Sequence, residues 1–447
     1  MTQKEAFNIL KKGHNVFLTG AAGSGKTHLL NDYIRFLKDE GVGVGITAST
    51  GIAATHIGGL TIHSWAGIGI ASEMSVEDCR AAASSRRVAK RFKKTKTLVI
   101  DEISMLDADR LDLVDRVARL ARGSQKPFGG LQIIFCGDFF QLPPVSSRIN
   151  PEEPLKEEKD RFLRPNSSQS PARFAYHAAS WRAADLKICY LTERFRHGDA
   201  RFLEVLDAIR GAEVNGTTRA HLHSRLHAKL PYEKATKLYS HNIDVDAENA
   251  KELSRLPGKE KKYAMSSDGI PQIAEALKKG CLAPEKLTLK RGAEVMFVKN
   301  NFEEGYVNGT LGKVIGFDGF DFPIVETARG ERLSAHPAKW SVEENGRVLA
   351  EIKQVPLRLA WAITIHKSQG MTLDAAEIDL SGAFEKGMGY VALSRVRGLE
   401  GIRLLGLNDT ALEVNEEVLE FDRELRRQSE AVTREFLELV SAGRGKN

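Results

Sequence analysis

The scarcest features of the chain narrow its class before any motif is read. It holds four cysteines in 447 residues (Cys79, Cys136, Cys189 and Cys281), widely scattered. None forms a CxxC pair or a histidine-linked ligand spacing, which argues against a zinc site or a disulfide framework and for reduced thiols. No apolar run approaches the length that crosses a bilayer, and the opening MTQKEAFNIL has no signal-type hydrophobic core. We therefore expect a cytoplasmic protein without a membrane partner. Its short ends suit a bacterial or phage source, with nucleus or mitochondrion the compartment if the source is eukaryotic. Nor does one sign of charge dominate: a formal net charge of +6 permits a polyanionic partner without demanding one. With 42% hydrophobic and 28% charged residues, the composition is globular, and the length suits two or three domains.

The stretch that organises the chain is NVFLT at 15–19 followed by GAAGSGKT, Gly20 to Thr27. A short apolar strand enters a glycine-rich turn, and the turn opens a helix, as a phosphate-cradling loop requires. Gly20, Gly23 and Gly25 let the backbone approach an anion closely. The backbone of Ala21, Ala22, Ser24 and His28 belongs to the same cradle. Lys26 would reach the β- and γ-phosphates, and Thr27 would hold Mg²⁺. This predicts a nucleoside triphosphate as ligand.

Further strands end in polar residues, where open α/β sheets place their ligands. TLVIDEISML puts Asp101 and Glu102 at a strand end, Asp101 for Mg²⁺ and Glu102 as base for the attacking water. LQIIFCGD at 131–138 repeats the pattern, and Gln141 just beyond is placed to sense the γ-phosphate. TASTGIAATHIGGLTIHSW at 47–65 reads either as a capped Ala-rich helix or as a loop meeting a ligand; Thr47, Thr50, His63 and Trp65 are its candidates. Residues 72–96 look helical and end in a basic cluster, either a solvated face or a phosphate contact. Residues 146–171 read as a long polar loop. Short Gly-punctuated strands at 287–355 predict a small barrel inserted into a second α/β region, with turn chemistry favoured at Asn300, Asn301 and Asn308. His366, Lys367 and Ser368 follow another strand, Arg395 is an arginine able to complete the site from a second domain, and the amphipathic tail 410–440 is expected to pack on that domain.

In order along the chain, GAAGSGKT, TASTGIAA, TIHSW, DEISM, GDFFQLPPV, LTERFR, LAWAITIHKSQGMTLD and YVALSR resemble the motifs of the Pif-one family of superfamily 1B helicases, over residues 3–406. The resemblance implies an α/β fold of two tandem RecA-like (P-loop NTPase) domains. It implies a wedge insertion at about 66–96 in the first domain, 1–185. The second domain would comprise 186–256 and 356–447 with the C-terminal helix, interrupted by an insertion at 257–355 with an SH3-like barrel at about 290–355. It implies an ATP- and Mg²⁺-dependent helicase moving 5′ to 3′ on single-stranded DNA and opening duplex or forked DNA, G-quadruplexes or RNA–DNA hybrids. Such a protein would act as a monomer on DNA in repair, recombination or telomere maintenance. An RNA helicase, or a loader that binds DNA without unwinding it, is the alternative. Residue by residue, Gln3 would read adenine, Gly370 would face nucleotide, and Arg196 and Arg395 would act with Lys26, Glu102 and Gln141 in hydrolysis. Thr47, Thr50, His63, Trp65, Asn300, His366, Lys367 and Ser368 would touch the strand. Two positions depart from the family pattern: His197 after the FR pair, and Met388-Gly389 before YVALSR.

Overall fold

The computed structural model describes residues 1–69, 71, 73–144, 173–195, 198–231, 235–239, 245–301, 303–306, 308–327, 330–344 and 347–444. The loop expected at 146–171, the catalytic candidate Arg196 and its neighbour His197 lie outside the described residues.

Six parallel strands form the first sheet: β1 (Val16–Gly20), β2 (Val44–Ala48), β3 (Leu60–Thr61), β4 (Thr97–Asp101), β5 (Gln132–Cys136) and β6 (Lys187–Leu191), in the order β3-β2-β4-β5-β1-β6. Sheets covered on both faces read as continuous apolar runs, and every residue of β1 and β4 is buried. The helices of this half are α1 (Gln3–Lys11), α2 (Lys26–Asp39), α3 (Gly51–His56), α4 (Ile62–Ala66), α5 (Val76–Ser84), α6 (Arg86–Lys94), α7 (Ala108–Arg122) and α8 (Ala179–Ala183). The expected wedge at 66–96 is thus α5 and α6, which pack Cys79, Val88 and Phe92 into the core shared with α7.

Two segments expected in the second domain lie with the first sheet. β6 was expected to open the second domain, yet it pairs with β1 from Val16–Lys187 to Gly20–Leu191 and completes the first sheet. The C-terminal helix, expected on the second domain, also returns to the first. Labelling α9 (Ala200–Arg210), α10 (Gly216–His223), α11 (Val245–Arg255), α12 (Pro271–Gly280), α13 (Met388–Leu393) and α14 (Glu416–Arg444) in order, α14 lies along β6. Phe421 stacks on Tyr176 with ring centroids 4.1 Å apart, and Ser429 Oγ accepts from Tyr190 N at 3.0 Å.

The second sheet is smaller: β7 (Thr236–Tyr239), β18 (Ala362–Thr364), β19 (Ala376–Leu380) and β20 (Ile402–Leu407), parallel in the order β18-β7-β19-β20. Between β7 and β18 the chain leaves for an antiparallel insertion. Its strands are β8 (Lys261–Ala264), β9 (Ser266–Gly269), β10 (Lys286–Leu289), β11 (Glu294–Phe297), β12 (Leu311–Phe317), β13 (Pro323–Thr327), β14 (Arg332–Ser334), β15 (Ala338–Glu344), β16 (Arg347–Gln354) and β17 (Leu357–Leu359). Five of them form a sheet in the order β14-β13-β12-β11-β17 around Val295, Phe297, Val314 and Val325. Because β17 pairs with β11, this barrel runs to Leu359, past the expected end at 355. Among the described residues, no helix is long and apolar enough to cross a membrane.

Candidate nucleotide and nucleic-acid site

β1 delivers the glycine-rich turn at the carboxyl end of the first sheet. Gly23 and Gly25 have φ of +81° and +82°, and Gly25 starts α2 in the left-handed region that favours glycine. Lys26 Nζ donates to the carbonyl oxygens of Gly20 (2.8 Å) and Ala21 (3.1 Å), so its cation lies across the loop, and burial lowers its pKa. Ser24 Oγ and Gln141 Oε1 are buried without a hydrogen-bond partner. Phosphate oxygens and a phosphate-bound water would satisfy both, which makes this cradle fit a nucleotide. Gln3 Nε2 donates to Ser24 O (3.4 Å) and Gly25 O (3.2 Å), holding its amide against the loop. Thr27 and His28 are exposed on the first turn of α2, and the His28 imidazole turns along the helix to Asp32 at 3.2 Å, leaving only its backbone near the cradle.

β4 ends at Asp101, buried, whose Oδ1 accepts from Glu102 N at 2.9 Å. Glu102 has φ of +50°, a conformation costly for a non-glycine residue and concentrated at functional sites. Burial, then the neighbouring Asp101 charge, push the Glu102 carboxyl up to about 7, against the opposing pull of Lys26 and Arg395. A carboxyl tuned this way suits a base working near neutral pH.

The second sheet supplies the rest. Arg395 follows α13 and is 2% exposed; its Nε donates to Val391 O (2.9 Å) and its Nη2 to Ser394 Oγ (2.8 Å). Its guanidinium therefore bonds within its own turn while facing the field of Glu102. Tyr390, one helical turn back, reaches the phosphate loop itself: its hydroxyl accepts from Ala22 N at 3.0 Å.

Sequence reading missed the cluster beside it. Arg210, at the end of α9, donates through Nη1 to both Asp138 oxygens (2.7 and 2.9 Å) and to Tyr390 Oη (3.2 Å). Through Nη2 it reaches Tyr190 Oη (3.1 Å) and Asp422 Oδ1 (3.2 Å), and its plane lies 4.0 Å from the Phe140 ring centre. The signal was present: Arg210 closes the apolar face Phe202, Val205, Leu206, Ile209, where a buried cation requires acids around it. Asp138 carries that charge and so is a structural partner at the strand end, next to the loop that bears Gln141.

The strand-contact candidates divide. Thr47 is fully buried with Oγ1 donating to Val99 O at 2.6 Å, so it is sheet interior and not a contact. Trp65 is likewise core, 4% exposed and edge-on to Phe92 at 4.7 Å. Ser368 is fully buried and donates to Ile365 O at 2.7 Å, which removes it too. Asn300 uses its Oδ1 to accept from Asn308 N at 2.7 Å, the turn chemistry expected of it. Gly370 (φ +74°) sits beside the His56 ring. His63 is half-buried, its pKa pushed down to about 4 by burial and Arg110; His366 and Lys367 stand half-exposed after β18. Thr50 caps α3, its Oγ1 accepting from Ala53 N at 3.2 Å.

Residues 1–159 match the PIF1-like helicase family, and residues 272–317 match the 2B domain of DNA helicase Pif1. The "ATP-dependent DNA helicase Pif1" of a Psychrobacter species is 42% identical over 93% of this chain and 69% of its own length. The chain spans less than two thirds of the vertebrate relatives it matches. A crystal structure of Pif1 from a Bacteroides species in complex with ADP-AlF4 superposes with a TM-score of 0.78 at 30% identity, covering 95% of this chain and 96% of that one. A crystal structure of Bacteroides Pif1 bound to single-stranded DNA gives 0.61 at 31% identity, covering 94% of this chain and 96% of that one.

Proposed function

The chain belongs to the PIF1-like helicase family, and from that membership we propose an ATP-dependent DNA helicase that moves 5′ to 3′ on single-stranded DNA and separates the duplex ahead. The observation that carries this reading is that the hydrolytic set is drawn from both sheets. Tyr390 holds the Ala22 N–H of the loop, and Arg395, just beyond the same short helix, faces Glu102. A nucleotide closed between two domains converts its cleavage into their relative movement, and a strand lying across both is shifted with them.

In this reading Lys26 and the loop N–H groups bind the phosphates, Gln3 sits where a base ring would lie, and Thr27 and Asp101 would hold Mg²⁺. Glu102 takes a proton from water as the water oxygen bonds to the γ-phosphorus. The bond from that phosphorus to the bridging oxygen breaks and ADP leaves with the electron pair. Lys26 and Arg395 stabilise the charge that accumulates. Gln141, on the loop after β5, would orient the water and report γ-phosphate to the strand side, where Thr50, His63, His366 and Lys367 offer contacts. Forked DNA, G-quadruplexes and RNA–DNA hybrids would be opened by the same movement of a monomer.

Unwinding of two partial duplexes, one with a 5′ and one with a 3′ single-stranded tail, tests the proposal. Separation of the 5′-tailed substrate alone is expected. Separation of only the 3′-tailed one would reverse the assigned polarity, and DNA-stimulated ATP hydrolysis with neither opened would favour a loader.

A further inference from the structure

The net positive charge of this protein is confined to one short stretch. Residues 86–96, RRVAKRFKKTK, hold seven cations and no acid, while the whole chain carries +6, so everything outside them sums to −1. Helix α6 pays for this arrangement. Its neighbour α5 obeys the helix dipole, with Ser75 in a capping box and Glu77 and Asp78 in the first turn. α6 instead opens on Arg86 and Arg87, with no side-chain cap and no acid in its first turn. Positive charge at the positive end of a helix, and like charges four residues apart as in Arg86, Lys90 and Lys94, both destabilise it. Arg86, Arg87, Lys90, Lys93, Lys94 and Lys96 are exposed, and none is ion-paired among the described residues.

The helix is nevertheless held rigidly. Arg91 turns inward to 2% exposure and donates through Nη1 to Ser64 O (3.1 Å) and Trp65 O (3.2 Å), pinning α6 to α4, the helix that carries His63. Val88 and Phe92 complete the inward face. The stripe is therefore carried by a helix bonded directly to the one that bears His63, a residue proposed to meet the single strand.

We propose that α6 is a second nucleic-acid contact, holding the phosphate backbone of duplex DNA beside the single-strand track. This rests on the helicase reading above. The partner follows from the chemistry of the face. Single-strand sites pair cations with aromatic stacking platforms, whereas the one aromatic of α6, Phe92, is fully buried. A face offering cations alone reads phosphates and no bases. From Arg86 to Lys94 the helix runs about 12 Å, the axial length of three to four phosphates on one strand of a duplex.

The test is equilibrium binding of a 5′-tailed duplex and of the isolated tail between about 50 and 200 mM salt. The wild-type protein is compared with the quadruple variant R86Q/R87Q/K90Q/K93Q, whose thermal midpoint should equal or exceed the wild type because repulsion is relieved. The dependence of log Kd on log salt for the tailed duplex should flatten by roughly 3 in slope. Binding of the tail, and ATP hydrolysis stimulated by it, should stay at wild-type values. An unchanged slope for the tailed duplex would overturn the proposal, as an acidic protein partner for α6 would also show. An equal loss on the tail would place α6 on the single-strand track and overturn it as well. A wild-type protein that binds neither DNA would instead overturn the helicase reading on which the proposal stands.

Discussion

Two of the regions in which the second half of the chain meets the first are built from opposite materials. At the phosphate loop the contact is polar and charged: Tyr390 Oη with Ala22 N, Arg210 with Asp138, Arg395 facing Glu102. At α3 it is nearly chargeless. Gly51 and Gly280 bring two backbones together so closely that a Cβ on Gly280 would lie 2.7 Å from Gly51 O. Thr55 Oγ1 donates to Gly280 O at 3.0 Å, and Asn308 Nδ2 lies 3.2 Å from His56 Nε2. The first region can respond to a nucleotide because charge entering it changes the balance of every group there. The second can only fit or fail to fit. That difference places the chemistry at one contact and the seating of the insertion at the other.

Four outcomes would break or sharpen this contrast. The largest is expected for Arg395→Ala, which should lower kcat for ATP hydrolysis by on the order of 10³ or more. Because Arg395 bonds only within its own turn, the melting temperature should change little; turnover within a few-fold of wild type would remove it from the site. Arg210→Met tests the other arginine of the same region, which is locked between acids. It leaves Asp138 and Asp422 buried with their main cation gone, and should cost about 3–5 kcal/mol in denaturant titration. A loss confined to hydrolysis, with stability intact, would erase the distinction between the two arginines.

The neutral region should show itself through pH. Burial pushes the His56 pKa down to about 4 from its ordinary 6.5. The unfolded chain therefore binds the proton first, so stability is full above about 6.5 and is lost as pH falls toward 4. The loss is up to about 3 kcal/mol. His63, held at about 4 as well, contributes in the same direction. His56→Gln should flatten the lower part of the stability profile; an unaltered profile would mean that His56 is not buried at this contact. Smallest is Gly280→Ala, where the added methyl meets backbone and cannot be accommodated by a rotamer change. It should cost about 1–3 kcal/mol and expose the insertion to limited proteolysis, with ATP binding unchanged. Wild-type protease resistance would show that the two backbones are not in contact.

The same contrast explains what the sequence disclosed. The placement of the glycine-rich loop, Asp101, Glu102 and Gln141 at or just beyond the ends of neighbouring strands was legible because it is local: a strand, its end and the next few residues decide it. The glycine contact was not, since Gly51 and Gly280 are 229 positions apart and neither stands in a turn signature. The placement of β6 on β1 and of α14 on β6 failed for a related reason: periodicity shows that a segment has a buried face, and says nothing of which sheet covers it. Thr47, Trp65 and Ser368 were misread because they lie inside motifs whose less buried members, Thr50, His63 and Lys367, sit one to three residues away. On a strand or a tight turn, one residue of register separates sheet interior from ligand side. Arg210 escaped because it belongs to no motif, although a lone cation on an apolar helical face is itself a sign of buried acids nearby.

The central claim, that hydrolysis at a site shared by both sheets drives strand movement, is tested most directly by Glu102→Gln. Nucleotide binding, hydrolysis and separation of a 5′-tailed duplex would be measured on one preparation. The account predicts ATP bound as tightly as by the wild type, hydrolysis reduced by about 10²–10⁴, and strand separation lost with it. Strand separation that persists without hydrolysis, or hydrolysis that persists without Glu102, would contradict it.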